Sequence, residues 1–307
     1  MARVFVTRRL PGQALERLSA AHQIEVWEER LPPSHEQLAD KAAQAEGLLT
    51  LLTDKLDAPL IAGAPKLRAI SNYAVGFDNV DLEAASERGI PVGNTPDVLT
   101  EATADLAFAL LLAAARKLPE AIESAREGDW VTWEPALHLG AAVHGATLGI
   151  VGLGRIGRAV AKRAEGFEMT VLHTSPSGGE PLEALLERAD FVSLHCPLTD
   201  ATHHLIDAAA LARMRPTAFL INTARGPIVE QQALHRALLE GSIAGAALDV
   251  TDPEPLPPGD PLLQAPNLII TPHIGSATQA ARERMAELAV ENLLAALDGK
   301  PMPHQAN

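Results

Sequence analysis

The sequence predicts an α/β protein with two domains, each a mostly parallel sheet that carries helices on both faces. Short apolar runs alternate with helical patterns along most of the 307 residues, and strands that alternate with helices in this way form parallel sheets. The alternation stops near Pro96 and begins again at Ala146, which predicts two sheets. A last helical stretch is long enough to return to the first sheet. The predicted domains are therefore 1–97 together with 280–307, and an inserted domain over 98–279.

The predicted strands are short, apolar and bounded by polar residues, glycine or proline, as buried strands of parallel sheets are. Strand candidates in the first domain are 3–7, 24–27, 48–52, 67–71 and 90–92. Those in the second domain are 147–151, 170–173, 191–194, 219–222, 246–248 and 268–270. Helices are predicted at 12–20, 35–43, 82–87, 101–117, 155–164, 182–188, 208–212, 231–240 and 277–297. The stretch 128–145 is predicted to be irregular, and such loops often carry function or form interfaces.

Composition argues against several classes of function. Asp and Glu outnumber Lys and Arg by 39 to 25, a net charge of −14, which disfavours binding to nucleic acid or to an anionic membrane. The most apolar run, 106–115, predicts a buried helix because a bilayer span needs roughly 20 apolar residues. Cys196 is the single cysteine, so no disulfide can form within the chain. We therefore expect a cytoplasmic protein with no membrane and no nucleic-acid partner.

A glycine-rich turn follows the first predicted strand of the second domain. The run GLGRIG at 152–157 lies between an apolar strand and a helix, the setting in which such a run binds a dinucleotide. Gly152 permits the tight turn, Gly154 lets the backbone approach a pyrophosphate, and Gly157 lets the helix pack closely on the strand. The free N–H groups of the helix N-terminus favour the phosphates. The second domain is therefore predicted to be a Rossmann dinucleotide-binding domain, with a turn that binds no ligand as the alternative.

The acidic residue that holds the adenosine ribose in NAD-specific domains is missing. It is expected about 20 residues beyond the glycines, but Ser175 stands there and the next carboxylate is Glu180. A serine does not repel a 2′-phosphate, and Ser177 with the amides of 178–179 can donate to one. No Arg or Lys lies within 174–179, so the usual positive partner is absent. We expect NADP(H) to be favoured, with NAD(H) as the alternative.

Three further segments combine a charged residue with glycine or proline at a predicted strand end. Arg225 lies in INTARG, Glu254 in LDVTDPEP and His273 in PHIGSAT. Ligands of open α/β sheets bind beyond the carboxyl ends of the strands, so these side chains are expected to converge there. Each residue alone has a structural explanation, as a surface ion pair, a turn residue or a helix cap.

Together, in this order and spacing, the segments resemble the D-specific 2-hydroxyacid dehydrogenase family over nearly the whole chain. The matching motifs are GLGRIG at 152–157, ADFVSLHCPLT at 189–199, INTARG at 221–226, LDVTDPEP at 248–255 and PHIGSAT at 272–278, with Asn94-Thr95-Pro96 and Val75-Gly76. Within the family the chain is most similar to glyoxylate/hydroxypyruvate reductases. The motifs behind that similarity are PDVLTEATADLA at 96–107, Trp130-Val131-Thr132-Trp133 and GKPMP at 299–303.

The resemblance implies an enzyme that reduces a small 2-oxo acid, such as glyoxylate or hydroxypyruvate, by hydride transfer from a nicotinamide cofactor. It also implies a flavodoxin-like fold for the first, substrate-binding domain. Arg225 would bind the carboxylate and the carbonyl oxygen with its planar guanidinium. His273 would protonate the developing alkoxide as the general acid, and would take the proton back in the reverse reaction. Glu254 would orient the imidazole and favour its charged form.

The remaining site predictions concern the substrate and the cofactor. The predicted substrate-binding residues are Leu51, Val75, Gly76, Ser276 and Trp133. The predicted cofactor-binding residues are Thr100, Gly152, Leu153, Gly154, Arg155, Ile156, Gly157, Thr174, Ser175, Pro176, His195, Cys196, Pro197, Thr202, Thr223, Ala224, Asp249 and Gly275. The histidines match no metal-ligand spacing, so no metal is expected.

Two other functions stay open at this point. One is a D-3-phosphoglycerate dehydrogenase or another D-2-hydroxyacid dehydrogenase. A phosphorylated substrate favours basic residues near Leu51 and Val75, where the sequence offers only Lys55. The other is a dinucleotide-sensing binding protein similar to corepressors that keep the same three catalytic residues. The strong negative charge argues against it.

An interface is predicted in the 101–145 region. The helix over 101–117 is apolar on most of its circumference, and one domain face does not cover such a helix. Trp130 and Trp133 lie on the irregular segment after it, where aromatic side chains suggest an interface anchor. In similar reductases this helix and segment form a two-fold dimer in which the matching Trp reaches the partner's substrate pocket. We expect a homodimer, with burial of Trp133 in its own domain core as the alternative.

Overall fold

The computed structural model describes residues 1–307, which form two compact units. One unit consists of Met1–Leu99 and Ala277–Asn307, and the other of Thr100–Ser276. Each unit contains one sheet.

The first unit is built on a five-stranded sheet in the order β2-β1-β3-β4-β5, with all neighbours parallel. Its strands are β1 (Arg3–Val6), β2 (Gln23–Val26), β3 (Gly47–Thr50), β4 (Ala69–Asn72) and β5 (Val92–Gly93). Its connecting helices are α1 (Ala14–Ala21), α2 (His35–Ala42), α3 (Ala58–Ala62) and α4 (Leu82–Glu87). Every residue of β3 and β4 is buried, because helices cover both faces of central parallel strands. The strand order is the flavodoxin-like one, which confirms the predicted fold.

The second unit is built on a seven-stranded sheet in the order β12-β11-β10-β9-β6-β7-β8. Its strands are β6 (Thr147–Val151), β7 (Thr170–Ser175), β8 (Gly178–Gly179), β9 (Phe191–Leu194), β10 (Phe219–Asn222), β11 (Gly245–Leu248) and β12 (Leu268–Ile270). Its helices are α5 (Thr100–Ala115), α6 (Leu118–Glu127), α7 (Arg155–Glu165), α8 (Leu182–Arg188), α9 (Ala208–Arg213) and α10 (Gln231–Glu240). Only the short β8 runs antiparallel to its neighbour. The chain direction across the sheet reverses between β6 and β9, the point at which Rossmann sheets bind dinucleotides. The predicted Rossmann fold is confirmed.

The chain ends with α11 (Gln279–Leu297), which belongs to the first unit and packs against α1, β3 and β4. Thr278 caps its N-terminus by accepting a hydrogen bond from the Ala281 N–H at 3.2 Å. Asn292 is fully buried in this helix and donates to the carbonyl of Asn94 at 2.9 Å. The helix therefore ties the segment after β5 to the core of the first unit.

Several predicted element boundaries were wrong, for identifiable reasons. The predicted helix over 12–20 begins at Ala14, because Gly12 has a left-handed φ of 73°. The helix predicted to end near Lys117 ends at Ala115, and Pro119 opens a second helix, α6, because proline is tolerated in a first helical turn. The short α3 and β8 were not predicted. The predicted burial of the run 106–115 is confirmed, since α5 packs into the core of the second unit. No helix of the chain is both long and apolar enough to cross a membrane.

Candidate active site

The three predicted catalytic side chains follow β10, β11 and β12, which are neighbours in the sheet of the second unit. Arg225 follows β10, Glu254 follows β11 and His273 follows β12. Because these strands are parallel, their carboxyl ends meet at one edge of the sheet. We call the three loops after β10, β11 and β12 (residues 223–230, 249–260 and 271–276) the catalytic edge.

The loop of Arg225 is shaped by the last residue of β10. Asn222 is buried, and its side-chain amide donates to the Arg225 carbonyl at 2.8 Å while its oxygen accepts from the Ala224 N–H at 3.0 Å. Gly226 then passes so close to the backbone of Thr251 that a Cβ would lie 1.9 Å from the Thr251 oxygen. Only glycine fits at this position, because the loop after β10 packs directly onto the loop after β11.

Glu254 and His273 form a direct pair across two loops. Oε1 of Glu254 is hydrogen-bonded to Nδ1 of His273, and the two side chains are 30% and 24% exposed. This bond orients the ring and leaves Nε2 as the ring nitrogen available for proton transfer. His273 also has a left-handed φ of 53°, which is uncommon for a residue with a side chain. The loop must therefore be held in this shape by its surroundings.

Asp249, predicted from the sequence as a cofactor-binding residue, holds that loop. Its Oδ1 accepts from the Thr271 hydroxyl at 2.6 Å and from the Ile274 N–H at 2.8 Å, and its Oδ2 accepts from the Gly275 N–H at 2.7 Å. Its carbonyl accepts from the His273 N–H at 2.9 Å. Asp249 is 1% exposed, so these bonds form away from competing water. They fix the backbone on both sides of His273.

The glycine-rich turn has the shape that a pyrophosphate requires. Gly152 has a φ of 96°, and a Cβ on it would lie 2.6 Å from the Cys196 nitrogen. A Cβ on Gly157 would lie 2.3 Å from the Gly152 oxygen, whereas Gly154 faces open space. No side chain caps the N-terminus of α7, so its first N–H groups can bind an anion. The hydroxyl of Thr223 is buried without a hydrogen-bond partner, which also fits a bound dinucleotide.

The end of β7 carries hydroxyls where a carboxylate is common. The Ser175 Oγ lies 3.0 Å from the Ser177 Oγ and donates to the Gly178 carbonyl at 3.0 Å. Glu180 is engaged in an ion pair with Arg188 at 2.6 Å, so it does not replace the missing carboxylate. The antiparallel pairing of β7 and β8 holds this hydroxyl-rich turn at the sheet edge.

His195 and Cys196 follow β9 and lie beside the glycine-rich turn. Nε2 of His195 is 2.8 Å from the Ser193 Oγ, and burial lowers the pKa of His195 to about 4. Burial raises the pKa of the Cys196 thiol to about 11. Both side chains are therefore neutral near pH 7. Cys196 is thus not activated as a nucleophile, and His195 is not a proton donor at that pH.

In the first unit, the segment after β4 presents backbone donors. The Val75 carbonyl accepts from the Asn94 side chain at 2.8 Å, and the Gly76 carbonyl accepts from the Asn72 side chain at 3.0 Å. In a trans peptide the C=O and N–H point in opposite directions, so the bond from Asn94 also fixes the Gly76 N–H. Neither the Val75 nor the Gly76 N–H donates a hydrogen bond within this unit. Both are thus available to a ligand.

The other predicted residues fall into three groups. Thr174, Pro197 and Thr202 support the turns around the glycines: the Thr174 carbonyl accepts from the Gly152 N–H at 2.8 Å, and the Thr202 hydroxyl donates to the Pro197 carbonyl at 2.7 Å. Leu153, Arg155, Ile156, Pro176, Ala224, Gly275 and Ser276 lie in or next to the turns and loops already described, and Thr100 is the first residue of α5. Leu51 directly follows β3 in the first unit, and its N–H donates to Asp54 at 2.7 Å. Trp133 is 80% exposed, so the alternative that it fills its own core was wrong. No group of three or more His, Cys, Asp or Glu side chains could hold a metal ion.

Sequence reasoning missed the residues that hold the loops. Asn222 and the acceptor role of Asp249 are visible only in the structure, although both lie within the motifs quoted above. An Asn or Asp at the end of a strand, as Asn222 is, or directly after it, as Asp249 is, is a signal that could have found them, since such side chains bond nearby backbone groups.

A Rossmann domain whose sheet edge pairs a histidine with a carboxylate is typical of one class of protein, the nicotinamide-dependent dehydrogenases. Residues 108–275 match the model described as D-isomer specific 2-hydroxyacid dehydrogenase, NAD binding domain. The chain belongs to this dehydrogenase family.

The similarity to known proteins extends over nearly the whole chain. The chain is 49% identical to a glyoxylate reductase of Korarchaeum cryptofilum, and the alignment covers 99% of this chain and 96% of that protein. A solved structure from Thermus thermophilus is similar with a TM-score of 0.93 and 52% identity, covering 99% of this chain and 100% of that one. An NADPH-dependent glyoxylate/hydroxypyruvate reductase from Sinorhizobium meliloti, solved with NADP and malonate, has a TM-score of 0.88 and 35% identity, covering 99% and 96%.

Proposed function

We propose that this dehydrogenase reduces glyoxylate and hydroxypyruvate to the corresponding 2-hydroxy acids, with NADP(H) favoured as the cofactor. The observation that carries the proposal is the hydrogen-bonded pair of Glu254 and His273 beside the Arg225 loop. The names of the relatives, glyoxylate reductase and glyoxylate/hydroxypyruvate reductase, support the choice of substrate.

Each catalytic residue has a role that follows from its chemistry. A nicotinamide cofactor held at the glycine-rich turn would supply the hydride for the carbonyl carbon of the 2-oxo acid. The guanidinium of Arg225 binds the carboxylate and the carbonyl oxygen, on which negative charge develops. Nε2 of His273 donates the proton that converts this oxygen to the hydroxyl, while Glu254 holds the ring through its bond to Nδ1. The N–H groups of Val75 and Gly76 bind the carboxylate.

The cofactor proposal rests on the turn after β7. A 2′-phosphate carries negative charge, and no carboxylate at Ser175 or Ser177 repels it. The two hydroxyls would donate to the phosphate in exchange for their present bonds to the Gly178 carbonyl and to each other. The NADPH dependence of the Sinorhizobium meliloti relative supports the same choice.

We further propose that the protein is a homodimer through the 101–145 region. Seven of the thirteen large apolar side chains exposed on the chain lie between Leu118 and Leu139, and α6 buries none of its residues. A second copy of this chain would cover that surface. In such a dimer Trp133 would narrow the neighbouring substrate pocket and disfavour bulky 2-oxo acids.

The test is a panel of substrates assayed with each reduced cofactor. Glyoxylate, hydroxypyruvate, pyruvate and 3-phosphohydroxypyruvate are compared by kcat/KM, following the absorbance of the nicotinamide. We expect the first two with NADPH to give the highest values. A higher value for the phosphorylated substrate would favour the phosphoglycerate dehydrogenase alternative. A preference for NADH of about tenfold, or 1.4 kcal/mol, would overturn the cofactor proposal.

A further inference from the structure

A buried polar network joins three strand ends of the first unit. Asp54, which follows β3, is 3% exposed. Its Oδ2 accepts from the Thr7 hydroxyl at 2.5 Å and from the Leu51 N–H at 2.7 Å. Thr7 follows β1, so one carboxylate oxygen links two neighbouring strand ends. The pKa of Asp54 lies above its usual value, because the effect of burial outweighs these two hydrogen bonds and the charge of Arg8, which lower it.

The network continues from the Asp54 loop to the segment after β4. The side-chain amide of Asn79 donates to the carbonyls of Leu51 at 3.0 Å and Asp54 at 2.9 Å. Its oxygen accepts from the Asn72 amide at 3.0 Å. Asn72 in turn donates to the Gly76 carbonyl at 3.0 Å. A continuous chain of hydrogen bonds therefore runs from Asp54 to Gly76.

This chain of hydrogen bonds ends at the Val75–Gly76 segment, whose two backbone N–H groups have no hydrogen-bond partner in the first unit. The Gly76 carbonyl is fixed by Asn72 at one end of the Val75–Gly76 segment, and the Val75 carbonyl is fixed by Asn94 at the other. Buried networks of this kind stiffen the groups they join, because each lost bond leaves a polar group without water. A shift of the Asp54 loop would therefore be transmitted through the Gly76 carbonyl to the backbone segment that carries the Val75 and Gly76 N–H groups.

We propose that Asp54 is a positioning residue for the carboxylate of the 2-oxo acid, acting through Leu51, Asn79 and Asn72 on the N–H groups of Val75 and Gly76. The inference rests on the proposed function, since it assumes that these N–H groups bind the substrate carboxylate. Asp54 itself touches neither substrate nor cofactor. Its loss should weaken the binding of carboxylate ligands and leave the cofactor and the proton transfer by His273 unaffected.

The test compares Asp54→Ala with a matched control, Asp57→Ala. Asp57 lies three residues further along, where its side chain caps α3 through the Leu60 N–H and lies outside the network. For Asp54→Ala we expect KM for glyoxylate, and the inhibition constant of the non-reactive dicarboxylate oxalate, to rise about tenfold, because two buried donors lose their acceptor. The KM for the cofactor should change less than about threefold, and Asp57→Ala should change none of these constants.

Two further variants keep the proposal testable if Asp54→Ala does not fold. Asp54→Asn retains an oxygen acceptor and should leave KM for glyoxylate near the wild-type value. Thr7→Val removes one donor at nearly constant shape and should raise KM about two- to fivefold.

The proposal is wrong if KM for glyoxylate is unchanged in folded Asp54→Ala or in Thr7→Val. It is also wrong if the cofactor KM rises in parallel, if Asp57→Ala has the same effect, or if Asp54→Asn is as impaired as Asp54→Ala. A wild-type protein that does not reduce glyoxylate would instead contradict the proposed function, and oxalate binding would then still report on Asp54.

Discussion

The catalytic edge and the segment 128–145 both consist of irregular backbone in the same unit, but they are stabilised very differently. Hydrogen bonds of two buried residues, Asn222 at the end of β10 and Asp249 after β11, fix the loops of Arg225 and His273 in the catalytic edge. In segment 128–145, Val131 is 87% exposed and Trp133 is 80% exposed. The comparison shows that the edge is organised by its own chain, whereas the segment leaves an apolar surface that a partner can cover.

This difference separates two kinds of expected effect. Substitutions in the catalytic edge should change the chemistry, and a substitution at the end of β7 in the same unit should change the cofactor preference. Substitutions in segment 128–145 should change assembly and selectivity and should spare the chemistry.

The largest effect among the supporting residues is expected for Asp249→Asn. The Asp249 carboxylate accepts hydrogen bonds from three donors. In the carboxamide one oxygen is replaced by an N–H₂ group, which cannot accept. At least one buried donor therefore loses its partner, and the His273 loop shifts. We expect kcat for glyoxylate to fall at least about tenfold. Asp207→Asn is the control, since the Asp207 side chain makes a single bond, to the Ala210 N–H at 2.8 Å at the start of α9, and lies outside the catalytic edge. An unchanged kcat in folded Asp249→Asn would show that the edge does not depend on this residue.

The next effect concerns cofactor choice at the end of β7. Ser175→Asp introduces a carboxylate that repels a 2′-phosphate and can bind the ribose hydroxyls of NADH. We expect the ratio of kcat/KM for NADPH to that for NADH to fall about tenfold. Thr170→Asp places the same charge at the exposed start of the same strand and should leave the ratio unchanged. If both variants shift the ratio equally, net charge and not the position of Ser175 determines the preference.

A smaller effect is expected from segment 128–145. Trp133→Ala should relax selectivity, raising kcat/KM for a bulky 2-oxo acid relative to glyoxylate by a few fold, and should weaken the dimer. Leu239→Ala removes a 59% exposed apolar side chain outside the segment and serves as the control. Sedimentation at micromolar concentration gives the oligomeric state. A fully active wild-type monomer under these conditions would contradict the dimer.

Hybrid dimers provide a second check on Trp133. Mixing Trp133→Ala with His273→Ala subunits produces dimers in which the one site that keeps His273 lies in the subunit without the indole and faces a partner that keeps Trp133. If Trp133 acts on the neighbouring pocket, that site should show wild-type selectivity. Relaxed selectivity in the hybrids would place the effect of Trp133 within its own subunit.

The smallest effect on catalysis is expected from His195, whose influence should appear in stability. Burial lowers its pKa from 6.5 to about 4 in the folded chain. The unfolded chain therefore binds a proton between pH 6.5 and 4 that the folded chain does not, and the free energy of unfolding should decrease as pH falls through this window. His195→Asn should flatten that decrease, whereas His144→Asn, whose side chain is 70% exposed, should not. Urea unfolding at pH 7 and pH 5 measures both slopes.

The features predicted best from the sequence are those that depend on residues close to one another along the chain. The three glycines of 152–157 and the run of α10 follow from neighbouring residues. The network of Asp54 could not be predicted in the same way, because its bond to Thr7 joins residues 47 positions apart. Helix α6 was not predicted, because a proline after a helix, here Pro119, usually marks the end of that helix. Proline is also tolerated in the first turn of a new helix, and that is where Pro119 lies. The roles of Arg225, Glu254 and His273 stay predictions until they are assayed.

The most direct test of the account is the single-turnover reduction of glyoxylate by NADPH-loaded wild type, His273→Gln and His144→Gln. His144 forms the other histidine–glutamate pair of this unit, with Glu168 at 3.8 Å on the surface, and is therefore a matched control. We expect His273→Gln to lower the rate about 100-fold or more, since general acid catalysis contributes that much, while NADPH still binds and His144→Gln remains at the wild-type rate. A near-normal rate in His273→Gln would contradict the assignment of His273 as the proton donor.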